Sequence, residues 1–112
     1  MCATKTNFIG IITFDASSGH AGIISKLEQW GFKKKSLHNR DLPNNTYLGK
    51  FSLDAETNSS GNFITERLKK VCDNKSDYYR GELNDYFNEN DIDGRIYVFF
   101  SWEPVSDDSM TN

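Results

Sequence analysis

Residues 8–31 read FIGIITFDASSGHAGIISKLEQWG, and two periodicities meet inside them. Phe8 to Phe14 is a run of β-branched and aromatic residues, too short for an ordinary helix and apolar enough for a buried strand. From Ile23 onward the spacing changes, and Ile23, Ile24, Leu27 and Trp30 follow a helical stripe. Ser17-Ser18-Gly19 supplies helix-start chemistry between the two, with the serines as caps. Gly31 stands where a left-handed C-terminal cap belongs. A strand that leads directly into a well-marked helix is the first half of a β-α-β unit.

Beyond Gly31, Phe32 to His38 is interrupted by Lys33-Lys34-Lys35 and reads as an edge strand with a basic outer surface. Asp41-Leu42-Pro43-Asn44-Asn45 marks a turn, and Thr46 to Leu53 alternates as a third strand. Asp54 to Gly61 is polar and reads as a loop. Ile64, Leu68, Val71 and Cys72 then form one buried helical stripe, with Asn62 as its cap. Tyr79, Leu83, Tyr86 and Phe87 predict a short extra helix within 77–88. After a turn at Asn90 to Gly94, Arg95 to Trp102 is the last and most apolar strand.

This order predicts an α+β fold of the ferredoxin-like βαββαβ kind. It has a four-stranded antiparallel sheet, strands one and three central, helices on one face, and an extra short helix before the last strand. The expected organisation is a flexible N-terminus over 1–6, a single domain over 7–103, and a disordered Ser/Asp/Thr/Asn-rich tail over 104–112. The first and last strands are apolar on both faces. The helices cover only one, so a homodimer is expected to bury the open face; the alternative is cover by the extra helix or the tail.

At 112 residues the chain suits one domain. No stretch approaches the ~20 apolar residues of a membrane span, and the run at Phe8 ends in Asp15 without a cleavage pattern, so a cytoplasmic protein with no membrane partner is expected. Cys2, Cys72 and two separated histidines make neither a disulfide framework nor a Cys/His metal cluster. Charge is uneven: residues 1–50 carry seven Lys/Arg against three Asp/Glu, and residues 51–112 carry six against thirteen. That asymmetry fits a two-faced surface or a self-complementary oligomer, and it argues against strong nonspecific DNA binding.

Asp15 follows strand one directly, before a small-residue loop. A carboxylate there suits Mg²⁺, which often takes only one or two protein carboxylates beside phosphate oxygens and water. The plainer assignment is a strand-ending aspartate that opens a turn or caps the helix. His20, in the first turn of that helix, is a candidate general acid or base, although such a residue is more often simply exposed. His38 has the same ambiguity. Lys33, Lys34, Lys35, Arg40 and Lys50 are candidates for nucleic-acid phosphates, with Tyr47 or Trp30 near for stacking. The lysine run also serves to block edge-to-edge aggregation. Asp91-Ile92-Asp93-Gly94 is no calcium loop, because Gly94 at the sixth position puts Phe100 where a bidentate glutamate is required.

Strand one ending in Asp15, the segment Lys26-Leu27-Glu28-Gln29-Trp30-Gly31-Phe32 and the late Gly94-Arg95-Ile96-Tyr97-Val98 together resemble the small CRISPR-associated ferredoxin-like endonucleases. That wider group includes the virulence-associated protein D toxins. The resemblance spans roughly residues 7–102 on short motifs. It implies a ferredoxin-like fold, a homodimer and, in some members, metal-dependent cleavage of RNA or DNA, with Asp15 as the Mg²⁺ ligand. The chain departs from the family in lacking basic residues just after the aspartate: Ala16 to Ile24 holds only His20 as a candidate cation. The expectation is therefore a nucleic-acid-directed protein, a Mg²⁺-dependent endoribonuclease of CRISPR-associated or toxin–antitoxin type. The alternative is a non-catalytic interaction module whose acidic half docks a basic protein or imitates nucleic acid.

Overall fold

Alternating β-branched and aromatic residues build four strands, and two helical stripes close over one side of them. The computed structural model describes residues 2–109. In chain order the elements are β1 (Cys2–Ala16), α1 (His20–Gln29), β2 (Phe32–Lys33), β3 (Thr46–Thr57), α2 (Thr65–Glu89) and β4 (Gly94–Trp102), followed by a 3₁₀ turn (Glu103–Val105). The sheet order is β2-β3-β1-β4 with every neighbouring pair antiparallel. The chain is thus an α+β protein with an open four-stranded sheet, strands one and three central, consistent with a ferredoxin-like arrangement.

Four boundaries differ from expectation, each for a physical reason. β1 starts at Cys2, where a flexible lead-in was expected, because β1 and β3 pair continuously from Cys2↔Thr57 to Thr13↔Thr46. By that register the polar residues from Asp54 extend β3 rather than forming a loop; the reversal is a tight turn in which Asn58 Oδ1 accepts from Ser60 N–H and Asn62 N–H. The extra helix is instead the second half of one 25-residue helix. Asp73 to Asp77 contains no Gly or Pro to break it, and Leu68 and Tyr79 lie close to three turns apart at 3.6 residues per turn, so both stripes stay in phase. The described part of the expected disordered tail is seated: Ser106 Oγ donates to Trp102 O and shares a hydrogen bond with Ser101 Oγ. Met1 and residues 110–112 lie outside the described residues.

The helix starts also differ. Gly19 is the N-cap of α1 with φ 73°, and Ile64 that of α2, neither with a side-chain cap. Ser17 is used elsewhere: its N–H donates to Asp93 O and its Oγ accepts from Asp93 N–H, tying the end of β1 to the start of β4. Asn62 serves the Asn58 turn instead of capping. The C-terminal cap of α1 is as expected, with Gly31 at φ 95°.

The core lies between the sheet and both helices. Phe8, Ile12, Ile23, Leu27, Phe32 and Leu83 are its fully buried side chains. At its centre Tyr79 lies parallel to Phe100, ring centroids 5.8 Å apart at 3°, while Phe32 meets Tyr79 edge-on at 5.2 Å. This aromatic cluster needs a flat floor, and two cross-strand partners supply it: Gly10 and Gly49. A Cβ on Gly10 would lie 2.6 Å from Phe100 Cζ, and one on Gly49 2.8 Å from Phe51 Cζ.

Because Phe100 is clamped by Tyr79, Gly10→Ala is expected to destabilise by about 1–3 kcal/mol. Urea unfolding of Gly10→Ala, Phe100→Leu and the double variant checks this. The double variant should be more stable than the sum of the single losses predicts; strict additivity would show that the two side chains do not collide.

Candidate functional site

The face of the sheet away from the helices carries the alternate residues: Ile9, Ile11, Thr13 and Asp15 of β1, Thr46, Leu48 and Lys50 of β3, and Arg95, Tyr97, Phe99 and Ser101 of β4. Lys33 joins them from the edge strand β2, opposite Leu48. Ile9 and Leu48 are buried here although no helix covers them. Two irregular segments do: the β2–β3 connection and the tail after β4. Together with the sheet they enclose a groove of about 490 Å³, with Ile9, Ile11, Leu48 and Phe99 at its floor and Leu42, Pro43 and Val105 among its walls. Cover within one chain therefore exists for the strands' centre, as the tail alternative anticipated. It is incomplete over β4: Phe99 lines the groove, yet it and Tyr97 stay 46% and 57% exposed.

The tail reaches the opposite edge and is fastened there. Asp108 Oδ2 accepts from Leu37 N–H at 2.9 Å, and His38 Nε2 lies 3.2 Å from Asp107 Oδ1 and 3.5 Å from Asp108 Oδ1. The Asp107 carboxyl is held below its ordinary 3.8, first by the N–H of Asp108 and then by the hydrogen bond to His38. Among the described residues, His38, Asp107 and Asp108 are also the group of three metal-ligating types whose donor atoms lie within 4.8 Å of one another.

On the same edge, Lys33, Lys35 and Lys50 line a second concavity of about 320 Å³, together with Ser36, Leu37 and Leu48. Lys35 is paired with Asp41, whose carboxyl that hydrogen bond and charge hold below the usual range. Lys34 and Arg40 belong to the same connection but do not line the concavity; Arg40 N–H donates to Ser36 Oγ. Three of the five candidate phosphate-binding residues are thus gathered.

Asp15 and His20 are not brought together. Asp15 ends β1 on the open face, opposite Arg95, in a shallow concavity that also includes Asp93. His20 opens α1 on the helix side, its ring 5.8 Å from that of Phe14. For a Mg²⁺ ion at Asp15, one chain offers Asp93 as a second carboxylate beside the Arg95 cation. Asp15 belongs to no three-ligand group among the described residues. That donor set fits a metal poorly without ligands from elsewhere. Tyr47 and Trp30, expected near the lysines for stacking, belong to the helix-side core instead. The Cys72 thiol is half-buried on α2, and burial, then the Asp73 charge, pushes its pKa up.

The residues that sequence reasoning left out of the site are Tyr97, Phe99 and the Asp107–Asp108 pair. Tyr97 and Phe99 alternate with Ile96, Val98 and Phe100, a signal that was present. The pairing of His38 with Asp107 spans 69 positions and leaves no local signal. Comparison with protein-family models, with curated proteins and with solved structures found no match for the chain. No helix among the described residues is long and apolar enough to cross a membrane.

A lowered Asp107 pKa means that its contribution to stability is present above the ordinary 3.8 and is lost as pH falls through the lowered value. Side-chain carboxyl NMR should place the Asp107 midpoint below 3.8, and His38→Ala should move it part of the way back, because the Asp108 N–H remains. A midpoint that His38→Ala leaves unmoved would mean that the tail is not seated.

Proposed function

We propose that this chain is a ferredoxin-like nucleic-acid-binding module that takes a single strand across the open face of its sheet. The observation that carries the reading is the exposure of Tyr97 and Phe99 on the same face as Lys33 and Lys50. The two rings sit two positions apart on one strand, about 6.6–6.8 Å along it, so each can meet a base separately. Base–aromatic stacking contributes about 1–3 kcal/mol per base and tolerates sequence variation. A sheet face with two exposed rings on one edge strand, lysines at the other edge and a groove between them suits a strand whose bases are free to turn outward. It offers no helix for a duplex major groove.

Cleavage is a second reading, favoured by Asp15 and Asp93 lining one concavity at the end of the sheet. Beside Arg95 these two carboxylates alone make a poor Mg²⁺ site. The remaining ligands would come from the nucleic acid or a second subunit. The homodimer expected from the apolar open face is a competing use of Tyr97 and Phe99. Sedimentation velocity separates the two: a dimer dispersed by Tyr97→Ala/Phe99→Ala would put a second copy where the nucleic acid is placed.

Fluorescence anisotropy with a labelled single-stranded RNA of about 12 nucleotides tests binding. Tyr97→Ala and Phe99→Ala should each weaken it by about 5- to 150-fold. Lysine contacts should give a negative salt slope of about 0.7 per phosphate neutralised. Binding indifferent to both rings would sink the reading. With Mg²⁺ present, cleavage that is lost in Asp15→Ala would add an activity; cleavage unchanged in that variant would remove Asp15 from the mechanism.

A further inference from the structure

The turn that receives the tail is organised by its own residues. Buried Ser36 sits at its centre: Ser36 N–H donates to Arg40 O, Asn39 N–H to Ser36 O, and the N–H groups of His38 and Arg40 to Ser36 Oγ. Leu37 N–H is left to point outward, and the tail carboxylate takes it. His38 adds an imidazole edge beside the same two carboxylates. A backbone N–H and a histidine on a preformed turn are the donors that a phosphate oxygen also seeks. Ser36, Leu37 and Leu48 line both the apolar groove and the lysine concavity, so this corner lies between them. A strand that reached from Lys33 and Lys50 to Phe99 would meet the tail there.

We infer that the Leu37–His38 corner is an anion-binding site whose resident occupant is the chain's own Asp107–Asp108 pair, and that a phosphate group of the bound single strand displaces it. The tail then acts as a built-in competitor for the open face. This rests on the nucleic-acid reading for the identity of the ligand, but the corner itself is testable without it.

The test compares the full chain with its Asp107→Asn/Asp108→Asn variant. Both changes lie outside the sheet, and the side chains are 82% and 28% exposed, so folding is not at stake. Inorganic phosphate is titrated while the Leu37 amide is followed by NMR, and the labelled RNA is titrated by anisotropy. With the competing carboxylates neutralised, phosphate and RNA should each bind the variant about fivefold more tightly. A Leu37 amide that ignores phosphate in the variant overturns the proposal, as does equal RNA affinity of the two proteins. If phosphate moves Leu37 in the variant while neither protein binds RNA, the corner stands and the nucleic-acid reading falls. His38→Ala added to the double variant should abolish most of the gain; a full gain without His38 would also overturn the assignment.

Discussion

Tyr79 holds this fold together through four rings that come from four different elements. Its ring stacks on Phe100 of β4, meets Phe32 of β2 edge-on, and lies 5.9 Å from Phe51 of β3 and 5.3 Å from Trp30 at the end of α1. Such pairs add about 0.5–1.5 kcal/mol each beyond the area they bury. β1 contributes by having no side chain at Gly10, the position beneath Phe100. The unbroken run of α2 follows from this. Only a continuous helix can place Tyr79 over the aromatic cluster while Leu68, earlier on the same stripe, stays buried in the same core.

Committing both helices to one face leaves the central strands' other side to be managed without them. Ile9 and Leu48 lie near the middle of the sheet, where a solvated apolar surface would be costly. The chain covers them with irregular segments, and irregular backbone brings polar groups that need partners. Ser36 satisfies most of the β2–β3 turn, and Asp108 satisfies Leu37. The polar fastening of the tail is thus a consequence of covering an apolar floor with loop and tail. Exposed ion pairs contribute little each, so a segment held this way is the part of the fold most easily exchanged for another ligand.

Most of the architecture was legible because its signals are local. The change from a β-branched run at Phe8–Phe14 to helical spacing at Ile23–Trp30 placed β1 and α1, and Gly31 closed the helix. The misplaced boundaries lie where pairing across the sheet overrides composition. Asp54 and Glu56 look like loop residues, yet Ala55 and Thr57 are buried on the helix side, and the strand continues to carry them there. Lys5 opposite Asp54 even forms a 3.5 Å ion pair across that extension. Of the candidate site, the lysine edge was readable from Lys33–Lys35. The tail's destination was not: an Asp-rich terminus has no periodicity, and its partner stands at the far edge of the sheet.

The uneven charge along the chain has its explanation in that same contact. A basic first half and an acidic second half suggested complementary surfaces, and part of that complementarity is satisfied within one chain. His38 and the lysine-bearing connection come from the first half, Asp107 and Asp108 from the second. The placement is asymmetric, however. Lys5 and Asp54, Lys35 and Asp41, and Arg67 and Glu56 also pair internally, whereas Lys33 and Lys50 line their concavity with no carboxylate among its lining residues. The tail carboxylates are held at Leu37 and His38, and Leu37 lines the same concavity as those two lysines. An acidic segment that ends beside a basic concavity without filling it lowers the local positive potential but leaves the lysines free to draw in an anion longer than the tail. A phosphodiester strand has that length and charge; a single carboxylate does not.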